Sequence, residues 1–126
     1  MKKVWALPLL WGSLHGINDF ISGYMLSHIM MQNHEHAFLL VILYAILAFG
    51  GQVPLGILVD QRKQLSGFGI TGIALLLFSI PIFFVNSFTA IVITGIAAAI
   101  IHVVGGSVCY IVQKEKTTPL GIFTAP

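Results

Sequence analysis

Residues 51–63, GQVPLGILVDQRK, decide how the chain is read. A long apolar run stops there at Asp60 and turns basic at Arg62 and Lys63. Outward from this polar knot, in both directions, the chain is apolar enough to be membrane-spanning helix. Of its 126 residues 57% are hydrophobic and only 8% charged, against about a quarter charged in an ordinary soluble domain. Its apolar residues fall into runs that match the roughly 20 helical residues needed to cross about 30 Å of hydrocarbon.

Four such runs predict an all-α membrane protein with helices from about Val4 to His28, Ala37 to Val59, Ser66 to Val85 and Phe88 to Val112. A further apolar stretch, LGIFTAP, opens after Pro119, and the eight residues to Pro126 are too few to span. Residues 1–126 thus read as a single incomplete transmembrane domain with the start of a fifth helix. Lys2, Lys3, Arg62, Lys63, Lys114 and Lys116 all sit at the ends of apolar runs. Short loops rich in Lys and Arg stay in the cytoplasm, so the N-terminus, the second loop and the segment after the fourth helix are expected inside. The expected location is the cell inner or plasma membrane, multi-pass, with the lipid bilayer as the first partner. Met1-Lys2-Lys3 before an apolar run imitates a signal peptide, but the run continues through His15 and Asp19 without a small-residue cleavage site. It reads as a retained first span.

Composition also excludes classes. No basic patch invites nucleic acid, and no Ser-His-Asp or Cys-His arrangement or phosphate-cradling glycine loop points to an enzyme or a cofactor. The single Cys109 lies in an apolar run, where it forms no internal disulfide and reads as packing. Helices in lipid associate through small residues, and several are present: Gly12 and Gly16; Gly67, Gly69 and Gly72; Gly95, Ala97 to Ala99 and Gly105-Gly106. Pro54 and Pro81 fall inside predicted helices and are expected to bend them.

Ionisable groups inside a span cost several kcal/mol unless paired or wetted, so each is a functional candidate. His15 and Asp19 stand four apart on one face with Gly12, Gly16 and Gly23, and Asn18 beside them is placed to hydrogen-bond Asp19 or a neighbouring helix. At 1.5 Å rise per residue, His15 and His102 lie about 17 Å and about 15 Å from the inner ends of their helices. If the first and fourth helices flank one cavity, His15, Asn18, Asp19 and His102 form a substrate or proton pathway near the midplane. Buried polar residues satisfied by carbonyls are the plainer alternative. Metal ligation competes, because His15 with Asp19, and His34 with His36, have donor spacing. His34-Glu35-His36 has no third strong ligand nearby in sequence and reads as a solvated polar turn, so the reading is of no metal site.

Gly56, Leu58 and Asp60, followed by Arg62 and Lys63, resemble the Gly-x-Leu-x-Asp-Arg motif between the second and third helices of major facilitator superfamily transporters. Gln61 stands where the family has Arg, and the turn glycine is missing. The resemblance implies a cytoplasmic gating latch, in which Gly56 permits close helix approach and Asp60, with Arg62 and Lys63, joins a charge network. The polar first helix around LHGINDF, the short loop between the third and fourth helices, the His-bearing fourth helix and GIFTAP are loosely similar to the fosmidomycin-resistance-like efflux branch. Such a family implies the N-terminal part of a secondary transporter that moves a small solute by alternating access, coupled to protons. The remaining transporter helices or an oligomeric partner would complete it. Two other classes stay open: a four-helix oligomeric exporter of the small multidrug resistance type with Asp19 as its carboxylate, and a non-transporting assembly or regulatory subunit.

Overall fold

The computed structural model describes residues 5–32, 35–112 and 116–125, and every regular element among them is helical. Val4, Lys2, Lys3, His34, Lys114 and Pro126, on which some of the expectations rest, lie outside the described residues. The elements are α1 (Ala6–Met31), α2 (Ala37–Ala45), a π turn (Ile46–Gly50), α3 (Gln52–Arg62), α4 (Leu65–Phe83), α5 (Ser87–Val112) and α6 (Thr118–Thr124). The predicted second helix is the continuous body α2, π turn and α3; the third and fourth are α4 and α5.

Three helical bodies are long and apolar enough to cross a membrane: Ala37–Arg62, Leu65–Phe83 and Ser87–Val112. The fourth expected span is not among them. α1 has the length, 26 residues, but His15, Asn18, Asp19 and His28 dilute its Leu and Ile. Its buried stripe runs through Pro8, Gly12, His15, Asn18, Ser22, Met25 and Ile29, at steps of three and four residues. Leu9, Leu10, Ile17, Phe20 and Tyr24 point outward. The helix is thus inverted relative to a soluble one, with polar groups inside and large apolar groups outside. Pro8 costs nothing in hydrogen bonds, because the first-turn N–H groups have no partner inside the helix.

α5 touches α1, α2, the π turn, α3, α4 and α6. Ala90, Ile91, Ala97, Ala98, Ala99 and Ile101 along it have no exposed surface, so the small residues seen in the sequence make it the axis of the bundle. α4 returns into α5 through a tight corner in which the Asn86 carboxamide oxygen accepts the Thr89 N–H at 2.9 Å and caps the new helix. Close approach depends on absent side chains at two places. A Cβ on Gly72 would stand 2.9 Å from Ile100 Cγ2, and one on Gly95 would stand 2.8 Å from Leu47 Cβ. Not every small residue has this role: a Cβ on Gly23, Gly67 or Gly106 would meet nothing within 4 Å among the described residues.

The π turn lies immediately before Pro54. Proline donates no hydrogen bond and its ring crowds the carbonyl four residues back, here Gly50. The helix accommodates this by widening: the Gly51 N–H is shared between the carbonyls of Ile46, at 3.2 Å, and Leu47, at 3.1 Å. Gln52 Nε2 supplies a further donor to the Ala48 carbonyl at 2.9 Å. Pro81 falls near the end of α4, which continues through it to Phe83.

The two ends of the bundle differ. At one, Met25, Ile29, Ala37, Leu40, Phe83, Ala90 and Ile91 form an apolar cluster joining α1, α2, α4 and α5. At the other, Asp60 and Leu65 share a hollow of about 390 Å³ with Gly106, Ser107, Tyr110 and Ile111. Arg62 and Lys63 are at that second end.

Candidate functional site

His15, Asp19 and His102 come together where α1 crosses α5. The α1 backbone sets the first contact: His15 and Asp19, one turn apart, approach at 3.3 Å between Nε2 and Oδ2. Asn18 Nδ2 donates to the other carboxylate oxygen, Asp19 Oδ1, at 3.1 Å, the bond expected from the sequence. The second contact is long-range. His15 Nε2 lies 2.8 Å from His102 Nε2, across 87 residues of chain, with the two rings edge to face at 82°.

Their far nitrogens fix the protons. His15 Nδ1 lies 2.8 Å from the carbonyl oxygen of Phe123, and His102 Nδ1 lies 2.7 Å from that of Ala98, one turn back on α5. A carbonyl oxygen only accepts, so both Nδ1 atoms carry hydrogen and donate. In neutral rings both Nε2 atoms then present lone pairs, and these face each other at hydrogen-bonding distance. A proton between the rings, or a cation in its place, would satisfy both lone pairs at that separation. Asp19 supplies the balancing negative charge.

No family model, curated protein or solved structure matches the chain.

Burial grades across the cluster. His15 is 7% exposed and Asn18 fully buried, while the Asp19 side chain keeps 47% of its surface, so the carboxylate is the accessible edge of the site. Asn18 Oδ1 is buried with no hydrogen-bond partner among the described residues. Ser22 folds its hydroxyl back to the Asn18 carbonyl at 2.7 Å, which satisfies it within its own helix.

Several contributors carried no signal in the sequence. The Phe123 ring stacks on His15, with centroids 4.9 Å apart, and Phe49 from the π turn stands edge-on to His102 at 6.3 Å. The phenol of Tyr44 on α2 interacts with Ser22, Asn18 and Asp19. In the sequence each is one aromatic among many in an apolar run. Their role comes from α6 and the π turn, which local patterns do not announce. α6 is held by a close fit: a Cβ on Gly12 would stand 2.8 Å from the Ile122 carbonyl oxygen, and one on Gly105 would overlap the Phe123 ring. Gly23, expected on the polar face of α1, is exposed and lies off the buried stripe.

The gating-motif residues lie apart from this cluster, at the end of α3. Asp60, Arg62 and Lys63 are exposed, and no ion pair joins them to one another or to other described residues. A Cβ on Gly56 would meet nothing within 4 Å there. The missing turn glycine has a structural counterpart: Lys63 itself takes the left-handed conformation, with φ 53°, and closes the helix through its N–H to the Val59 carbonyl at 2.9 Å.

The three chemical residues also satisfy the spacing of a metal site, with their ligand atoms all within 4.8 Å of one another. His102 joins the α1 pair from α5.

Proposed function

We infer that the chain is the amino-terminal part of a secondary transporter of the major facilitator type, moving a small solute across a membrane by alternating access with protons as the coupling ion. One observation carries this reading: a histidine pair, His15 buried and His102 half-buried, with a carboxylate at its accessible edge, bridges α1 and α5 in a bundle whose outer surface is apolar. Ionisable groups inside such a bundle mark ion and substrate pathways. In transporters built from inverted repeats, substrate and ion sites lie near the midplane at the repeat interface, and α1 and α5 would be the first helices of two such repeats.

The geometry suits a coupling device. A proton between His15 Nε2 and His102 Nε2 holds α1 against α5, and the His15–Phe123 hydrogen bond ties α6 to the same pair. Removal of that proton leaves two opposed lone pairs and a reason for the helices to part. Asp19, half exposed, is the group through which the proton or a cationic solute would enter. The basic residues after α3 and after α5 support a cytoplasmic placement for that end. The Gly56, Asp60, Arg62 and Lys63 motif supports the family reading.

The test uses the native product reconstituted in liposomes that enclose a pH-sensitive dye, challenged with a panel of small cationic, anionic and neutral solutes. At least one solute should drive proton movement, and Asp19→Asn and His102→Ala should each abolish it while the protein still inserts. Solute-driven proton movement that survives both substitutions would sink the assignment of the site, and silence across the panel would sink the transport reading.

A further inference from the structure

The same cluster has the ligands, the outer shell and the open side of a metal centre. We propose that His15 Nε2, His102 Nε2 and the Asp19 carboxylate form a three-ligand site for a divalent transition-metal ion, of which zinc is the representative. This goes beyond the transport reading, since the ion would be held whether or not the chain moves a solute.

Donor type comes first. Two imidazoles and one carboxylate suit zinc and its borderline first-row neighbours and do not suit magnesium or calcium, which prefer all-oxygen shells. Three protein ligands leave a fourth position of a tetrahedral zinc open to water or another molecule. Asp19 is the accessible edge of the cluster, the side from which such a molecule would reach the ion.

Spacing comes second. Ligand atoms at about 2.0–2.1 Å from a tetrahedral zinc stand roughly 3.3 Å apart. His15 Nε2 and Asp19 Oδ2 are separated by 3.3 Å. The two Nε2 atoms, at 2.8 Å, would spread by about half an ångström from the tetrahedral value. Asp19 keeps 47% of its surface and has room to swing its carboxylate toward His102.

The outer shell is the independent observation. Metal-bound histidine almost always donates its other ring N–H to a carbonyl or carboxylate, and ligating carboxylates are themselves hydrogen-bonded. All three ligands meet this condition with different partners: His15 Nδ1 with Phe123 O, His102 Nδ1 with Ala98 O, and Asp19 Oδ1 with Asn18 Nδ2. Both Nε2 atoms are thereby left to ligate, and neither ring turns over without breaking a carbonyl hydrogen bond.

The experiment is metal binding to the purified full chain in detergent, with Zn²⁺ competed against a chromogenic chelator and Co²⁺ as the optical probe. Because His28, His34 and His36 offer other donors, the reference protein carries Gln at those three positions. It should bind one ion per chain, and X-ray absorption of its zinc form should show two imidazoles and oxygen. His15→Ala and His102→Ala should each weaken binding by at least a hundredfold. His102→Cys should keep the ion and add a thiolate-to-cobalt charge-transfer band, which a merely structural histidine would not produce. Loss of binding in the reference protein, fewer than two imidazoles in its zinc spectrum, or a folded His102→Cys protein without the new band overturns the proposal. None of these readouts involves solute movement, so the metal site and the transport reading fail separately.

Discussion

Lys63 is the clearest case in which one residue works against its own chemistry. It ends α3 in the left-handed region, with φ 53° and ψ 28°, where a side chain costs roughly 1–2 kcal/mol and glycine is the usual occupant. Lys63→Gly should therefore stabilise the protein by about 1 kcal/mol against denaturant in mixed micelles, whereas Lys63→Ala should not. An unfolding midpoint unmoved by the glycine variant would show that the turn is not left-handed. At this scale the sequence was informative about identity and less so about partners. His15, Asn18 and Asp19 stood out because polar groups in an apolar helix are expensive, and their mutual contacts followed from helical spacing. That His102 meets His15 followed only as a match in depth, since nothing local to either residue encodes a contact 87 positions away. His15, Asp19 and His102 read from the sequence as a proton or substrate pathway and not as a ligand set, because spacing alone gives no distance from His102 to the other two.

Helices α1, α4 and α5 were legible as elements because apolar runs of spanning length have few other interpretations. The π turn and the docking of α6 were not. Pro54 announced a disturbance, but whether a helix bends, breaks or widens depends on what packs against it, here Gly95 against Leu47. Likewise the short run after Pro119 gives no hint that Phe123 fits over Gly105 or that its carbonyl receives His15. Glycines on α1 discriminate between a packing seam and a free surface. Gly12→Ala would push a methyl group against the backbone oxygen of Ile122, 2.8 Å from its Cβ, and should cost about 1–3 kcal/mol by overpacking. Gly23→Ala enters open space and should gain about 0.5–1 kcal/mol from helix propensity alone. Paired thermal denaturation of the two variants checks both signs, and equal effects would mean that α6 does not sit on α1.

For the molecule as a whole, the arrangement of its ends matters most. The corner after α3 and the last turns of α5 meet around one hollow, while the far end closes on an apolar cluster. Lys63→Cys and Lys116→Cys should therefore be labelled by a membrane-impermeant maleimide from the same face of the membrane, the cytoplasmic one in the proposed orientation. The native Cys109, 1% exposed, should stay unlabelled from either face. Opposite sidedness of the two engineered cysteines would refute the paired ends, and rapid labelling of Cys109 would refute the packing around α5.

The π turn at Ile46–Gly50 has a consequence for rotational phase. Each residue of an α-helix advances the side-chain direction by about 100°, one 3.6-residue turn divided among its members, and a π turn holds one residue more than regular winding needs. Deleting a single residue within it should let Ala37–Arg62 run as unbroken α-helix. Everything downstream would keep its direction, because the wide turn takes up the extra residue without passing it on as rotation. Asp60 would stay at its hollow beside Tyr110, and Val59 would stay buried. The wide turn therefore acts as an expansion joint: it stores one residue without changing which way the polar end of the helix looks.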